Sequence, residues 1–186
     1  MPELLQDKSR LRQDLLAQRQ ALSPAIREKW NTDIGIHLSH LLERQPARTI
    51  GVFWPMRNEP DLRTLFEEWI AAGVQLALPV VIDPELPLKF LAWAPGDPLS
   101  KDAMGVWVPA ASSGEVAPDL LLIPCVGFNG GRFRLGYGGG FYDRTLAAQP
   151  RPRAVGVAYA CSRADFAVEK HDIALDLVVT EAGVEG

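Results

Sequence analysis

A glycine-rich segment at residues 128–144, FNGGRFRLGYGGGFYDR, carries the residue types that bind phosphate groups. Glycine adopts backbone conformations that other residues avoid and lets a ligand approach the main chain closely. Successive exposed backbone N–H groups can then form a concave site for phosphate oxygens. Arg134 and Arg144 add permanently charged donors, and Asp143 adds a hard carboxylate suited to Mg²⁺ that bridges phosphates. The segment therefore predicts a nucleotide-phosphate site.

Two other interpretations of this segment are open from its residues alone. The first is a flexible loop with incidental charges, because glycine clusters are weak evidence by themselves and neither the P-loop nor the dinucleotide pattern is present. The second is RNA binding, which the mixture of arginine, glycine and aromatic residues would suit. However, the segment occurs once, between core elements, in a chain of net charge −4. We therefore expect no nucleic-acid partner.

The elements on either side indicate how the segment is positioned. Residues 119–126, DLLLIPCV, are typical of a strand buried on both faces, and a helix is predicted after the glycines. In α/β sheets, ligands bind beyond the C-terminal ends of the strands. The segments that follow the predicted strands 49–54 and 119–126 satisfy this condition, and both carry unusual polar residues.

The hydrophobic pattern along the chain alternates between strand and helix. Strands are predicted at residues 49–54, 74–81, 88–93, 119–126, 154–159 and 177–180, and helices at 3–22, 24–44, 61–72 and 142–148. Residues 94–118, rich in proline, glycine and serine, are predicted to be irregular apart from a short strand at 106–108. This order favours an α/β fold: a single domain over residues 1–186, with a mostly parallel sheet flanked by helices and an N-terminal helical pair.

The composition excludes several classes of protein. Hydrophobic residues make up 47% of the 186 and charged residues 23%, which argues against a disordered chain. No apolar run approaches the roughly 20 residues that a membrane span needs, and the charged N-terminus does not resemble a secretory signal. Cys125 and Cys161 are predicted to be buried free thiols, which fits a reducing compartment. We therefore expect a cytoplasmic protein with no membrane partner.

The glycine-rich segment also resembles the signature of a known family. Its core, RLGYGGGFYDR, closely resembles RLGYGGGYYDR of the 5-formyltetrahydrofolate cyclo-ligase family, also called 5,10-methenyltetrahydrofolate synthetase. Other features match in the same order: the cluster KSRLR from Lys8 to Arg12, a strand followed by the glutamate Glu59, and a D-x-x-x-D segment from Asp172 to Asp176. The resemblance spans about residues 8 to 180.

This resemblance implies an enzyme that uses ATP and Mg²⁺ to convert 5-formyltetrahydrofolate to 5,10-methenyltetrahydrofolate, with release of ADP and phosphate. The implied route phosphorylates the formyl oxygen, which needs positioning and charge neutralisation more than a protein nucleophile. Its implied partners are a reduced folate and ATP, and we expect a monomer. The alternative is a non-catalytic, regulatory member that binds nucleotide or folate. We would expect such a member to have lost Lys8, Arg134 or Asp143, and none is lost.

The resemblance also assigns roles to residues. Lys8 and Arg134 are the implied catalytic residues. Trp54 and Glu59 are implied to line the folate pocket, because a flat pterin ring rich in N–H donors suits an aromatic face and a carboxylate. Asp143 and Asp176 are implied to bind Mg²⁺, with Asp172 as a competing choice for the second position. The implied ATP-binding residues are Lys8, Ser9, Arg10, Leu11, Arg12, Arg134, Leu135, Gly136, Tyr137, Gly138, Gly139, Gly140, Phe141 and Tyr142.

The residues alone also allow purely structural roles for several of these positions. Lys8 and Arg12 would form a solvated helix face, Trp54 would belong to the core, and Asp176 would cap a turn before the last predicted strand.

Three positions depart from the family pattern. Phe141 replaces the commoner tyrosine, Arg132 stands where the family often has glycine, and Asn129 stands where it often has aspartate. The last two bear on how the chain enters the glycine-rich loop.

Overall fold

A computed structural model describes residues 7–186, so the predicted start of the first helix, including Leu4, lies outside the described residues. The helices are α1 (Lys8–Ala21), α2 (Pro24–Arg44), α3 (Arg63–Ala71) and α4 (Phe141–Ala147). The strands are β1 (Thr49–Gly51), β2 (Gln75–Val80), β3 (Lys89–Ala92), β4 (Leu99–Lys101), β5 (Trp107–Pro109), β6 (Glu115–Val116), β7 (Leu120–Pro124), β8 (Gly127–Phe128), β9 (Arg134–Leu135), β10 (Arg153–Val157), β11 (Leu177–Thr180) and β12 (Gly183–Glu185).

The central sheet runs in the order β12-β11-β10-β7-β1-β2-β3-β6. Its middle, from β11 to β2, is parallel, and antiparallel strands complete both edges. Two hairpins, β4–β5 and β8–β9, stand apart from this sheet. The predicted α/β fold with a mostly parallel sheet and an N-terminal helical pair is confirmed.

Strand β7 is buried on both faces, as its apolar sequence predicts. Leu120 and Leu122 belong to the core cluster that α2 and α3 cover, whereas Leu121 and Ile123 belong to the cluster on the other face, with α4. Successive strand residues point to opposite faces, so an unbroken apolar run feeds both clusters. This strand is therefore a rigid support for the segment that follows it.

Helix α1 packs against the β8–β9 hairpin rather than against the main sheet. Its Leu11 and Leu15 form a separate buried cluster with Val126 and Leu135. As a result, α1 lies over the end of the sheet where β7 finishes. The junction to α2 follows the sequence prediction, since the Ser23 side chain accepts the N–H of Ile26 and a proline occupies the first turn.

Some local predictions were wrong. Residues 94–118 are largely irregular, as predicted, but they contain three short strands, β4, β5 and β6, where one was predicted at 106–108; Asp102 accepts the N–H groups of Met104 and Val106 and closes the tight β4–β5 hairpin. Cys161 is exposed, because it lies in a short 3₁₀ turn beyond β10 rather than in a strand; Cys125 is buried, and both thiols are free. Among residues 7–186, no helix is long and apolar enough to cross a membrane.

The connections leave a crevice between β1 and β7. Strand β1 continues through α3 to β2 on one side, whereas β7, its parallel neighbour, continues through α4 to β10 on the other. The chain segments that leave these two strands diverge, and ligands bind at such topological switch points. The first of these segments contains Trp54 and Glu59, and the second leads into the glycine-rich loop.

Candidate active site

A cleft of about 890 Å³ opens at this switch point. Its volume lies in the range typical of small-molecule sites. Its walls come from α1, the turn after β1, the β4–β5 hairpin, the glycine-rich loop and residues 169–172. Segments distant in sequence therefore meet around one cavity.

An arginine–carboxylate pair closes the glycine-rich loop. Arg134, in β9, donates from both terminal nitrogens to the two oxygens of Asp143, at 3.0 and 2.9 Å. The Arg134 side chain is only 6% exposed, and its guanidinium lies 5.5 Å from the centre of the Tyr142 ring. Asp143 also accepts the backbone N–H of Ile173 at 3.0 Å. The loop therefore holds a fixed, desolvated guanidinium at the cleft.

The glycines of the loop are required by its backbone. Gly138 and Gly140 have φ angles of +100° and +67°, which side chains disfavour. A Cβ atom on Gly139 would lie 2.6 Å from the Phe141 ring. Arg12 of α1 donates to the Gly136 carbonyl at 2.7 Å, so helix and loop are joined directly.

Lys8 stands at the mouth of the same cleft between two carboxylates. Its ammonium lies 3.0 Å from Asp172 and 2.8 Å from Glu169. Burial lowers the pKa of Lys8, but the bonds to Glu169 and Asp172 outweigh it, and the net pKa is raised. Lys8 therefore carries a positive charge that an anionic substrate would meet.

Asp172→Asn is expected to lower the free energy of unfolding by about 1 kcal/mol at neutral pH. Burial opposes the ionised form, but bonds from the Glu169 N–H and from Lys8 leave the pKa of Asp172 below its ordinary 3.8. This stabilisation is present above pH 3.8 and is lost as pH falls through the lower folded-state pKa. Urea unfolding of both proteins along a pH series should show the difference shrink in acid.

The matched control for this prediction is Glu169→Gln, which removes the more exposed partner of Lys8. Its effect should be smaller, because exposed ion pairs contribute little. An Asp172→Asn difference that stays constant down to the lowest pH would contradict the account.

A buried carboxylate forms a different part of the cleft. Glu59 is 3% exposed, accepts the Met56 N–H at 3.0 Å and accepts the Tyr137 hydroxyl at 2.7 Å. Burial raises the pKa of Glu59, whereas its hydrogen bonds and the charges of Arg19 and Arg57 limit that rise. The two bonds leave lone pairs on each carboxylate oxygen for a ligand N–H.

Arg19 does not line the cleft but binds two segments that do, and the sequence did not single it out. It is 2% exposed and donates to the Tyr137 hydroxyl at 2.8 Å and to the Arg57 carbonyl at 3.0 Å. A signal was available, because Lys8, Arg12 and Arg19 share one face of α1 at spacings of four and seven residues. What the pattern does not show is that this face is covered by the loops.

Aromatic side chains line the wall near Glu59. Trp54 lines the cleft, packs edge-to-face against Trp93 with ring centres 5.8 Å apart, and lies 5.0 Å from the guanidinium of Arg63. The β4–β5 hairpin adds Met104 and Trp107, which the sequence did not indicate. This wall therefore suits a flat, partly apolar ligand.

Comparisons with known proteins show which family this chain belongs to. The sequence model of the 5-formyltetrahydrofolate cyclo-ligase family matches residues 5–181. This chain belongs to that family. It is 32% identical to the 5-formyltetrahydrofolate cyclo-ligase of Escherichia coli (strain K12), over 89% of this chain and 96% of that protein. It is also 30% identical to the cyclo-ligase of Mycoplasma pneumoniae, over 94% and 99% of the two chains.

Solved structures give the same family. The 5,10-methenyltetrahydrofolate synthetase of Mycoplasma pneumoniae matches with a TM-score of 0.79 and 28% identity, covering 94% of this chain and 99% of that one. The NMR structure of the Aquifex aeolicus synthetase matches with a TM-score of 0.81 and 30% identity, covering 95% and 91%. The chain is an enzyme of the cyclo-ligase family.

The residues that the family resemblance implied for ATP fall into two groups. All nine residues from Arg134 to Tyr142 line the cleft. In α1, Lys8 and Arg12 line it, whereas Ser9 and Arg10 are exposed away from it and Leu11 packs in the core. Helical periodicity explains the division, because residues four apart share a face.

The structure does not bring Asp176 to the cleft. Asp176 pairs with Arg151 at 2.9 Å and accepts the Ala154 N–H at 2.7 Å. It immediately precedes β11, so it lies at the N-terminal ends of the parallel strands, opposite the edge where the cleft opens. Asp172, the competing choice for the second metal ligand, lines the cleft.

Mg²⁺, the metal that the sequence resemblance implies, would fit the carboxylates of the cleft in one way. Residues 7–186 contain no group of three or more histidine, cysteine, aspartate or glutamate side chains that could hold a metal. Mg²⁺, however, commonly binds through one or two carboxylates and substrate phosphates rather than in an all-protein cage. Asp143 and Asp172 supply that donor type side by side, since Asp143 accepts the N–H of the residue that follows Asp172.

The two departures at the loop entry have a structural explanation. Arg132 has φ +61°, which accounts for a preference for glycine there, and its side chain donates to the Leu175 carbonyl at 3.2 Å. Asn129 accepts the N–H groups of Gly131 and Phe133 through one side-chain oxygen, which an aspartate oxygen would do equally. Both departures therefore preserve the entry to the loop.

Proposed function

We propose that this protein converts 5-formyltetrahydrofolate to 5,10-methenyltetrahydrofolate with ATP, releasing ADP and phosphate. The observation that carries the proposal is the single cleft, in which a cationic, glycine-rich wall meets a wall with a buried carboxylate and an aromatic face. ATP phosphates suit the first wall and a pterin suits the second. Two substrates that exchange a phosphoryl group must lie in one such space.

In the first step the formyl oxygen attacks the γ-phosphorus, and ADP leaves. Charge accumulates on the phosphoryl oxygens, and fixed cations stabilise it most where water is excluded. Arg134 is held by Asp143 and is 6% exposed, so it presents its charge without reorganising. Lys8 reaches the same cleft from α1 and adds a second positive charge.

In the second step N10 of the folate attacks the activated formyl carbon and loses its proton, and phosphate leaves. No protein nucleophile is required, because phosphorylation has turned the oxygen into a good leaving group. The contribution of the chain is to hold N10 close to that carbon, which lowers the barrier through proximity. Glu59 would hold pterin N–H groups, and Trp54 would support the ring.

Asp143 and Asp172 would hold Mg²⁺, which when bound would neutralise phosphate charge. Both carboxylates are paired with Arg134 and Lys8, so a Mg²⁺-bound nucleotide would meet cations for its phosphates and carboxylates for its metal in the same place. The two free thiols, Cys125 and Cys161, support a location in a reducing cytoplasm.

The test mixes the purified protein with 5-formyltetrahydrofolate, ATP and Mg²⁺ and follows the near-ultraviolet absorbance of the conjugated methenyl product. We expect a rise that requires all three additions and matches the ADP formed. A protein that binds both substrates without any ATP-dependent rise would instead be the non-catalytic member. Retention of Lys8, Arg134 and Asp143 in the cleft argues against that outcome.

A further inference from the structure

Arg19 joins the segments that leave the switch point. Its side chain donates to the Tyr137 hydroxyl in the glycine-rich loop, to the Arg57 carbonyl in the turn after β1 and to the Cys125 carbonyl after β7. The donor–acceptor distances are 2.8, 3.0 and 3.4 Å. A single buried side chain of α1 therefore ties together the nucleotide wall and the folate wall of the cleft.

The charge of Arg19 needs a partner. A guanidinium does not lose its proton in proteins, so a side chain that is 2% exposed brings a permanent positive charge into the interior. Buried charges are costly unless they are hydrogen-bonded and balanced. The acid linked to Arg19 is Glu59, which the Tyr137 hydroxyl joins to it by accepting from Arg19 and donating to the carboxylate.

The turn that carries Glu59 is strained and is held by the same arginine. Arg57 and Asn58 have φ angles of +48° and +58°, and two successive non-glycine residues in this region are unfavourable. Arg19 binds the Arg57 carbonyl, and Met56 and Glu59 exchange hydrogen bonds across the turn. The direction in which Glu59 points therefore depends on α1.

We propose that Arg19 is a positioning residue that holds Glu59 ionised and directed at the reduced folate, acting through the Tyr137 hydroxyl and the Arg57 carbonyl. This proposal rests on the folate-binding role of Glu59 proposed above. Arg19 itself does not touch the substrate. Its effect is on the charge and orientation of the carboxylate that does.

The groups around Glu59 define the expected pH response. Arg19, Arg57 and the Tyr137 hydroxyl stabilise the Glu59 anion, whereas burial opposes it. The more distant Cys125 thiol and Tyr142 hydroxyl also lie within electrostatic reach of this carboxylate. Burial raises the pKa of Glu59, and the Tyr137 bond and the Arg19 charge lower it. Removing either of these two contributions should raise it further, so the anion would form only at higher pH.

The experiment measures binding of 5-formyltetrahydrofolate by calorimetry along a pH series, with Mg²⁺ and a non-hydrolysable ATP analogue present. We expect Tyr137→Phe, which removes one hydroxyl and keeps the ring, to bind about 10- to 100-fold more weakly at neutral pH. Its acid loss of binding should occur at higher pH than in the wild type. Arg19→Met should shift the pH at which folate binding is lost still higher than Tyr137→Phe does. Arg19→Lys keeps the charge but loses the fork of donors, so its shift should lie between those of Tyr137→Phe and Arg19→Met.

Arg44→Met, at the exposed end of α2, is the control and should leave the pH profile unchanged. Wild-type affinity and pH profile in both Tyr137→Phe and Arg19→Met would overturn the proposal. Weaker binding with an unshifted pH profile would also overturn it, because that is the signature of a merely structural role. If Arg19→Met does not fold, Tyr137→Phe carries the test alone. Failure of the wild type to bind the folate would instead remove the proposed function itself.

Discussion

Replacing Arg134 with alanine is expected to lower kcat/KM for ATP by about 100- to 1000-fold. The guanidinium is fixed by Asp143 at the cleft and is desolvated, so its charge acts in a medium where electrostatic stabilisation is strong. Binding of the reduced folate should change much less, because Glu59 and Trp54 do not contact Arg134 in the hydrogen-bond network. Steady-state kinetics with each substrate varied in turn separates the two effects.

The chain offers a matched control for Arg134→Ala. Arg151 also pairs with an aspartate, Asp176, but at the opposite edge of the sheet. Arg151→Ala should cost some stability and leave the ATP kinetics unchanged. Arg134→Lys should remain strongly impaired, because lysine does not reproduce two parallel bonds to a carboxylate. An unchanged KM and rate for ATP in Arg134→Ala would refute the role assigned to this residue.

Glu59→Ala should produce the reverse pattern. We expect KM for the reduced folate to rise about 100-fold, because a ligand N–H would lose a charged, buried acceptor. KM for ATP should stay within a few fold of the wild type, since Glu59 meets the glycine-rich wall through the Tyr137 hydroxyl and not through Arg134 or Lys8. An increase in the ATP KM that equals the folate effect would show that the two walls are not separate.

Glu59→Gln adds a stability measurement with a definite sign. Burial raises the pKa of Glu59 above its ordinary 4.5, so the folded state holds this proton more tightly than the unfolded state does. Its contribution to stability is therefore present below pH 4.5 and is lost as pH rises through the folded-state pKa. Relative to wild type, Glu59→Gln should gain stability as pH rises over that range while it binds folate more weakly. Urea unfolding along a pH series checks this, and a difference that shrinks with rising pH would contradict it.

The parts of the site that the sequence predicted are those with short-range patterns. The glycine-rich loop follows an unmistakable buried strand, and the adjacency of parallel β1 and β7 brings Glu59 to it, as strand-end reasoning predicts. Strand direction also separates Asp172 from Asp176: the residue just before β11 must lie at the other edge of the sheet. The exact start of β11 decides which aspartate lies at which edge, and the sequence pattern alone does not fix that start.

Other parts could not be predicted because they depend on long-range packing. The face of α1 that carries Arg19 looks solvated in the sequence, and only the folding of three separate loops over it buries the guanidinium. Similarly, proline and glycine in residues 94–118 concealed β4 and its pairing with the strand predicted at 106–108, a pairing that places Trp107 at the cleft. In both cases the local residue types favoured a solvent-exposed interpretation.

In the reaction proposed above, the cleft transfers a phosphoryl group from ATP to the formyl oxygen of the folate. The most direct test places a heavy oxygen isotope in the formyl group of 5-formyltetrahydrofolate and follows it through a single turnover with ATP. We expect the label to leave in inorganic phosphate, because the formyl oxygen departs bonded to phosphorus. Recovery of the label in water, with unlabelled phosphate, would contradict it.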